Sequence, residues 1–293
     1  MTIKELILYG RKKLTNSATP EVDAELLLLR VLKCTRVFLK TYPEREISRE
    51  EITEFEEMLT RRVAGEPVAY IVGERDFWTF SVMVSKDVLI PRPETELLVE
   101  KVLEKIHQDS KNCNDKFKQN KLNILDLGTG SGVIAIALAL ELPEAQVFAV
   151  DLSLRALEIA STNAKRNKVK NISFYHGDLF SSLPDMREKF AYIISNPPYI
   201  AQNDPHLDNK ELRFEPKEAL IAGVDGLDVL KVIIEEGQNF LMPQGWLLVE
   251  HGYDQAYKVQ ELFINNNYGN ISSYMDLSGH LRVTSGCNIK KHI

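Results

Sequence analysis

Asn196-Pro197-Pro198-Tyr199, preceded by Ser195, crowds hydrogen-bond acceptors into a segment of chain that bends poorly. Two prolines fix φ and remove two N–H donors, so the turn is stiff and rich in bare oxygens. Such a device suits a planar NH₂ group. The side-chain oxygen of Asn196 and the carbonyl oxygen of Pro197 could each accept one N–H, while Tyr199 stacks on the flat group. The chemistry would be orientation and electrostatics more than acid–base work. An amide nitrogen is a poor nucleophile because its lone pair is shared with the carbonyl. Two acceptors pulling on its hydrogens favour pyramidal character and stabilise the positive charge that develops when a new bond forms. The proton can leave afterwards, so no strong base is needed. A rigid proline turn with a capping Asn is the plainer alternative.

A second cluster supplies a place for the other reactant. Gly128-Thr129-Gly130-Ser131-Gly132 follows a strand, is preceded by Asp126, and opens the apolar helix Val133-Ile-Ala-Ile-Ala-Leu-Ala. Three glycines let the chain turn sharply and let a ligand lie against bare backbone at a helix N-terminus. Asp151 ends the next strand, 19 residues after Gly132, where a carboxylate can accept hydrogen bonds from ribose hydroxyls. A helix N-terminal carboxylate is the alternative for it. Dehydrogenase loops read GxGxxG, whereas this one reads GxGxG behind an acid. A pyrophosphate near that helix end would meet an unwelcome carboxylate. A cationic sulfonium with an ammonium group tolerates acid nearby, so the expected cofactor is S-adenosyl-L-methionine, with S-adenosyl-L-homocysteine as product. The NH₂ held at Asn196 would then face a methyl donor.

The elements that must position these loops alternate after Leu122. Strands are expected at 123–127, 146–150, 172–175, 191–195 and 245–250, with two more near 271–275 and 281–284. Helical patterns fall at 132–141, 153–167, 227–241 and 255–265. Alternation of this kind implies an α/β fold with a mainly parallel sheet and helices on both faces, and the closing pair of strands fits an antiparallel edge. Seven strands is the count of the methyltransferase variant of the doubly wound, Rossmann-like fold. Residues 1–75 read as a small helical bundle: Thr19 places a capping hydroxyl before Pro20, and Ser48 and Glu51 have capping-box spacing, with Gly65 and Pro67 ending that helix. Between bundle and sheet, residues 76–90 alternate aromatic and β-branched side chains and predict a hairpin linker. Residues 91–293 make the catalytic domain, interrupted by a polar stretch, 109–121, that reads as a surface loop.

Composition narrows the class. With 36 basic and 42 acidic side chains in 293 residues the net charge is −6, and residues 1–75 are charge-balanced, so the excess acid falls on the rest. A domain that grips a phosphate backbone shows the opposite balance, so no direct nucleic-acid substrate is expected. Cys34, Cys113 and Cys287 lie far apart without a CxxC pair, which argues against a disulfide framework or zinc knuckle; no metal site is expected. No apolar run approaches the roughly 18 residues that cross a bilayer. The N-terminus mixes charges into its apolar positions and lacks a signal-peptide core, so a soluble cytoplasmic protein is expected.

At this point the sequence resembles the PrmC/HemK family, the protein-glutamine N-methyltransferases that modify peptide chain release factors. The resemblance rests on Tyr70-Ile-Val-Gly-Glu-Arg-Asp-Phe-Trp78, Val88-Leu-Ile-Pro-Arg-Pro-Glu-Thr-Glu96, Asp126 through Gly132, Asn196-Pro-Pro-Tyr-Ile200 and Phe214-Glu-Pro216. It covers the chain from about Glu66 to the last strand. The Asn-Pro-Pro-Tyr loop alone is shared with adenine DNA methyltransferases; the stretch from Ile90 to Glu96 is far more specific.

The resemblance implies a helical substrate-docking domain, a hairpin linker and a seven-stranded domain that binds S-adenosylmethionine through Gly128–Gly132 and Asp151. It implies that the acceptor is the Gln of the Gly-Gly-Gln loop of class 1 release factors, placed beside Asn196, Pro197, Pro198 and Tyr199. Asp178 and Leu179 fall where such folds contact adenine, although some relatives carry an aromatic at Leu179. Arg92, Glu94 and Glu96 would line the pocket, while on residues alone the two glutamates could be first-turn carboxylates of a helix. A monomer is expected. The nearest rival is a glutamine methyltransferase of a ribosomal protein; an adenine DNA methyltransferase, a nicotinamide oxidoreductase and a non-catalytic cofactor-binding protein stand further off.

Overall fold

The computed structural model describes residues 1–111, 122–183, 185–186 and 189–289. Most of the polar stretch read as a surface loop, with its Cys113, lies outside the described residues, as does the tail 290–293. Contacts divide the chain into two units, residues 1–74 with 206–214, and residues 75–205 with 215–293.

The first unit carries five helices, α1 (Ile3–Lys13), α2 (Pro20–Leu32), α3 (Arg36–Thr41), α4 (Arg49–Val63) and α5 (Val68–Val72). Reciprocal capping boxes open two of them, Thr2 with Glu5 on α1 and Ser48 with Glu51 on α4, which satisfies backbone N–H groups that a helix start otherwise leaves orphaned. The expected cap of α2 takes a different form. Thr19 occupies the N-cap position, but its hydroxyl donates to Asp23 Oδ1 at 3.2 Å and accepts from no helix N–H, its backbone at φ −133° and ψ 58° departing from the extended cap conformation of Thr2 and Ser48. Ile3, Leu6, Leu27, Leu28 and Phe55 are completely buried and form the centre of this unit.

One charged group sits inside that bundle. Arg62 of α4 is buried, and its Nε donates to Asp23 Oδ2 at 2.7 Å, its Nη1 to the Glu66 carbonyl at 3.0 Å and its Nη2 to Glu211. Burial disfavours the guanidinium charge, yet Asp23 and Glu211 outweigh it and its pKa is raised. The segment that supplies Glu211 is therefore held by the helical unit, although in sequence it follows the Asn-Pro-Pro-Tyr loop.

The second unit begins with the hairpin β1 (Glu74–Phe77) and β2 (Phe80–Met83). The hairpin is shorter than the alternation at 76–90 implies. Strand pairing stops at Met83, and Ser85 then closes a turn, its carbonyl accepting from the Val88 N–H at 3.1 Å and its hydroxyl from the Asp87 N–H at 3.2 Å. Val84, Val88 and Ile90 are nevertheless buried, so their apolar character serves packing without a ladder.

After α6 (Glu96–Lys111) come β3 (Asn123–Leu127), α7 (Val133–Glu141), β4 (Gln146–Asp151), α8 (Leu154–Arg166), β5 (Ile172–His176) and β6 (Phe190–Ser195). The chain closes with α9 (Asp228–Gly237), β7 (Leu241–Glu250), α10 (Ala256–Asn265), β8 (Tyr268–Met275) and β9 (Leu281–Asn288). α9 ends four residues before the expected 241, since Gly237 starts a turn and Leu241 already pairs with Phe190.

The sheet order is β5-β4-β3-β6-β7-β9-β8, parallel from β5 to β7 and antiparallel where β9 joins β7 and β8. Strand order reverses at β3, and a parallel sheet gathers ligands at such a switch point, outside the carboxyl ends of its strands. Register does the rest: Leu127 pairs with both Val150 and Ser195, so the chain leaves β3, β4 and β6 along one edge. Among the described residues, no helix is long and apolar enough to cross a membrane.

Candidate active site

The glycine loop is held from below and from the side. Gly128 and Thr129 both donate to the Val150 carbonyl, at 2.9 and 3.0 Å, so the loop starts as an extension of the β3–β4 ladder. Gly130 then takes φ 55°, a left-handed conformation that suits glycine, and its N–H donates to Asp151 Oδ2 at 2.8 Å. Gly132, at φ 86°, caps α7 where a Cβ would lie 3.0 Å from that of Ala160, which explains the third glycine as a close approach of two helices. From α8 the buried Asn163 donates to the Ser131 carbonyl at 2.9 Å and to the Met83 carbonyl at 3.0 Å, and accepts from the Met83 N–H at 2.7 Å. One amide thus ties the loop to the hairpin.

The two acids of the motif divide the labour. Asp126 is fully buried beneath the loop, where it accepts from the Thr129 hydroxyl at 2.6 Å; burial pushes its pKa up to about 7. It shapes the loop and does not line the cavity. Asp151 does line it. Burial raises its pKa, opposed by the N–H groups of Ser153 and Gly130. Each carboxylate oxygen accepts one of those bonds at 2.8 Å and keeps a lone pair for a ligand hydroxyl.

A cavity of about 620 Å³ opens between these loops. Of the residues singled out from sequence, Gly128, Thr129, Gly130, Ser131 and Asp151 line it on the β3–β4 side, and Asp178 and Leu179 join them after β5. Asn196 and Pro198 contribute from the loop after β6, and Arg92 from the chain before α6. Gly132, Pro197, Tyr199, Glu94 and Glu96 are not among the lining residues. Pro197 is buried. Glu96 instead accepts from the N–H of Trp78 at 2.8 Å and so holds the hairpin tip.

Several lining residues escaped the sequence reading: Asp87, Leu152, Glu218, and Val229 and Val232 of α9. Leu152 carries a signal, an apolar residue directly after the strand-ending Asp151 that remains 63% exposed. Asp87, Asp151, Asp178, Glu218 and Asp228 give the walls five carboxylates against one guanidinium, Arg92, which itself pairs with the buried Glu215 at 2.6 Å. Fields of one sign focus in clefts, and this one favours a cation. Leu152, Leu179 and Val229 offer the apolar surface that a flat ring needs.

Four side-chain hydrogen bonds anchor the Asn-Pro-Pro-Tyr loop. Ser195 Oγ donates to the Leu127 carbonyl at 2.7 Å, and Gln255 Nε2 donates to the Tyr199 carbonyl at 2.9 Å. Tyr199 Oη donates to Glu250 Oε1 at 3.3 Å, and burial together with the Glu250 charge raises the pKa of the phenol. Asn196 Nδ2 donates to Thr95 Oγ1 at 3.0 Å. With its NH₂ end engaged, the amide has its oxygen left for the cavity.

Sheet order and loop placement together define a methyltransferase fold, preceded in sequence by a helical unit. The likeness extends to a methyltransferase from Pyrococcus furiosus, with a TM-score of 0.52 at 15% identity over 80% of this chain and 98% of that one. Residues 5–73 match the PrmC N-terminal domain and residues 102–213 the methyltransferase small domain. The release factor glutamine methyltransferase of Coxiella burnetii is 45% identical over 97% of this chain and 98% of its own length. That of Vibrio cholerae is 46% identical over 93% and 91%. The chain belongs to the family of release factor glutamine methyltransferases.

Proposed function

We propose that this chain transfers a methyl group from S-adenosylmethionine to the side-chain amide nitrogen of the Gln in the Gly-Gly-Gln motif of class 1 release factors. The observation that carries the reading is one acidic cavity walled on one side by the glycine loop with Asp151 and on the other by Asn196. The names of the relatives favour a release factor over a ribosomal protein as substrate. An acidic cavity also suits neither a pyrophosphate nor a nucleic-acid backbone.

Asp151 and the loop backbone would hold the ribose and the amino-acid end of the cofactor, with Asp178 and Leu179 beside the adenine. Bound there, S-adenosylmethionine supplies an electrophilic methyl group on a cationic sulfur. Asn196 Oδ1 and the Pro197 carbonyl accept the two N–H groups of the substrate amide and turn its nitrogen lone pair out of conjugation. Positive charge growing on that nitrogen would be stabilised by the same two oxygens as the N–C bond replaces the methyl–sulfur bond, whose electron pair stays on the sulfur of the departing thioether, and the proton would then leave to water. Pro198 and Tyr199 shape the loop, Arg92 faces the cavity, and Glu94 and Glu96 act from outside its lining, Glu96 by holding the hairpin tip. The protein would act as a monomer in the cytoplasm, where termination takes place.

Mass spectrometry of a release factor incubated with the enzyme and S-adenosylmethionine tests this. One added methyl group is expected on the Gly-Gly-Gln peptide, absent when its Gln is replaced by Asn; an unmodified peptide would refute the substrate. Asp151→Ala is expected to weaken S-adenosylmethionine binding by about tenfold to a hundredfold in calorimetry, the worth of a hydrogen bond to a charged group. Unchanged affinity would remove Asp151 from the cofactor site.

A further inference from the structure

We propose that Glu250, acting through Thr95, is a positioning residue that decides which end of the Asn196 amide faces the cavity. The inference rests on Asn196 as acceptor of the substrate N–H groups and adds what makes it one.

Asn196 is symmetric in shape but not in chemistry: turned one way it shows an acceptor, turned the other way two donors. A donor end facing a substrate NH₂ would repel it. The orientation is set by what the other end touches. Thr95 Oγ1, buried, takes the Asn196 Nδ2–H at 3.0 Å. Having accepted there, the hydroxyl has a single proton left to give. Glu250 stands beside it at the end of β7, 1% exposed, and the Thr95 side chain favours its charged form. Its Oε1 accepts from Tyr199, while its buried Oε2 has no partner in hydrogen-bond geometry among the described residues. A carboxylate can only accept, so a charged Glu250 draws the Thr95 proton toward itself and leaves the hydroxyl lone pair to Asn196, which keeps Oδ1 toward the cavity. A protonated Glu250 can donate to Thr95 instead, the chain of bonds can reverse, and the amide is free to turn over.

The groups facing Glu250 define the window. Tyr199 from the loop after β6, Thr95 from the turn before α6 and Arg282 from β9 favour the carboxylate, whereas Glu94 opposes it and burial outweighs them all. His251, next in the chain, bonds to Thr284 and the Gly252 carbonyl. The Glu250 pKa is pushed up to about 7, so the carboxylate that enforces the correct orientation is lost as pH falls through neutrality.

Steady-state methylation of a Gly-Gly-Gln peptide by the full chain, between pH 5.5 and 9, tests the proposal alongside calorimetry with S-adenosylmethionine. Wild-type kcat is expected to drop to a lower plateau below about pH 7. Glu250→Gln, which can either donate or accept, is expected to show a kcat lowered by about threefold to tenfold and no such limb. Thr95→Val should lose about tenfold to a hundredfold in kcat, Thr95→Ser should stay near wild type, and cofactor affinity should hold in all three. A Glu250→Gln enzyme that retains both wild-type kcat and the acid limb, or a Thr95→Val enzyme as fast as Thr95→Ser, would overturn the positioning role. A wild-type enzyme that leaves the peptide unmethylated overturns the functional reading itself, which separates the two failures.

Discussion

Asn196→Ala is expected to lower kcat by about a hundredfold to a thousandfold, the usual effect of deleting one preorganised hydrogen-bonding group from a site of charge development. Cofactor affinity should stay near the wild-type value, because Asp151 and the glycine loop hold their own bonds to Val150, Ser153 and Asn163. The loop should also stay put, since Ser195 remains bonded to Leu127 and Gln255 to Tyr199. Single-turnover kinetics with saturating cofactor read the first expectation and calorimetry the second. A variant that transfers methyl at the wild-type rate would remove Asn196 from the mechanism. One that binds cofactor poorly would show that the loop's stiffness depends on the Thr95 bond more than on its other anchors.

The second large effect concerns stability. Arg62→Ala is expected to destabilise the helical unit by about 3–5 kcal/mol, because it strands the buried carboxylate of Asp23 without its partner. Denaturant unfolding followed by far-UV circular dichroism reads this as a lower midpoint for the first transition. Arg62→Met combined with Asp23→Asn should recover a substantial part of the loss, since the double variant removes the charge that the single one isolates. Equal instability of the single and double variants would show that packing of the long side chain matters more than the pair.

Much of this architecture is legible in the sequence because it rests on local rules. The strands at 123–127 and 146–150 are buried in the sheet and read as apolar runs, and the fall from strand to glycine loop to apolar helix is written in consecutive residues. The capping box of Ser48 and Glu51 is equally local. What escaped depends on partners distant in sequence. Thr19 reads as an ordinary cap until Asp23 and Arg62, 39 residues apart, are brought together. The residues at 84–90 alternate like a strand because they are half-buried, and nothing in their periodicity reveals that no strand pairs with them. Glu250 reads as the polar end of a strand. Only the crossing of β7 behind the Asn-Pro-Pro-Tyr loop brings it to Tyr199, 51 residues earlier, and to Thr95. Asp126 shows the converse: an acid beside a glycine loop suggests contact with ligand, yet it lies underneath, bonded to Thr129.

The stretch 206–214 belongs to the helical bundle while its neighbours on both sides belong to the sheet. Lys210 and Phe214 lie within 4 Å of where a side chain on Gly65 would be, and Glu211 completes the shell of Arg62. A boundary at residue 75 is therefore clean on paper only. A fragment beginning there would carry an orphaned strap whose anchors had gone with the other piece, and the amputated bundle would keep an arginine short of one counter-charge. Chimeras that exchange the helical unit between relatives should accordingly transplant two separate stretches of gene, one encoding residues 1–74 and a short one encoding residues 206–214.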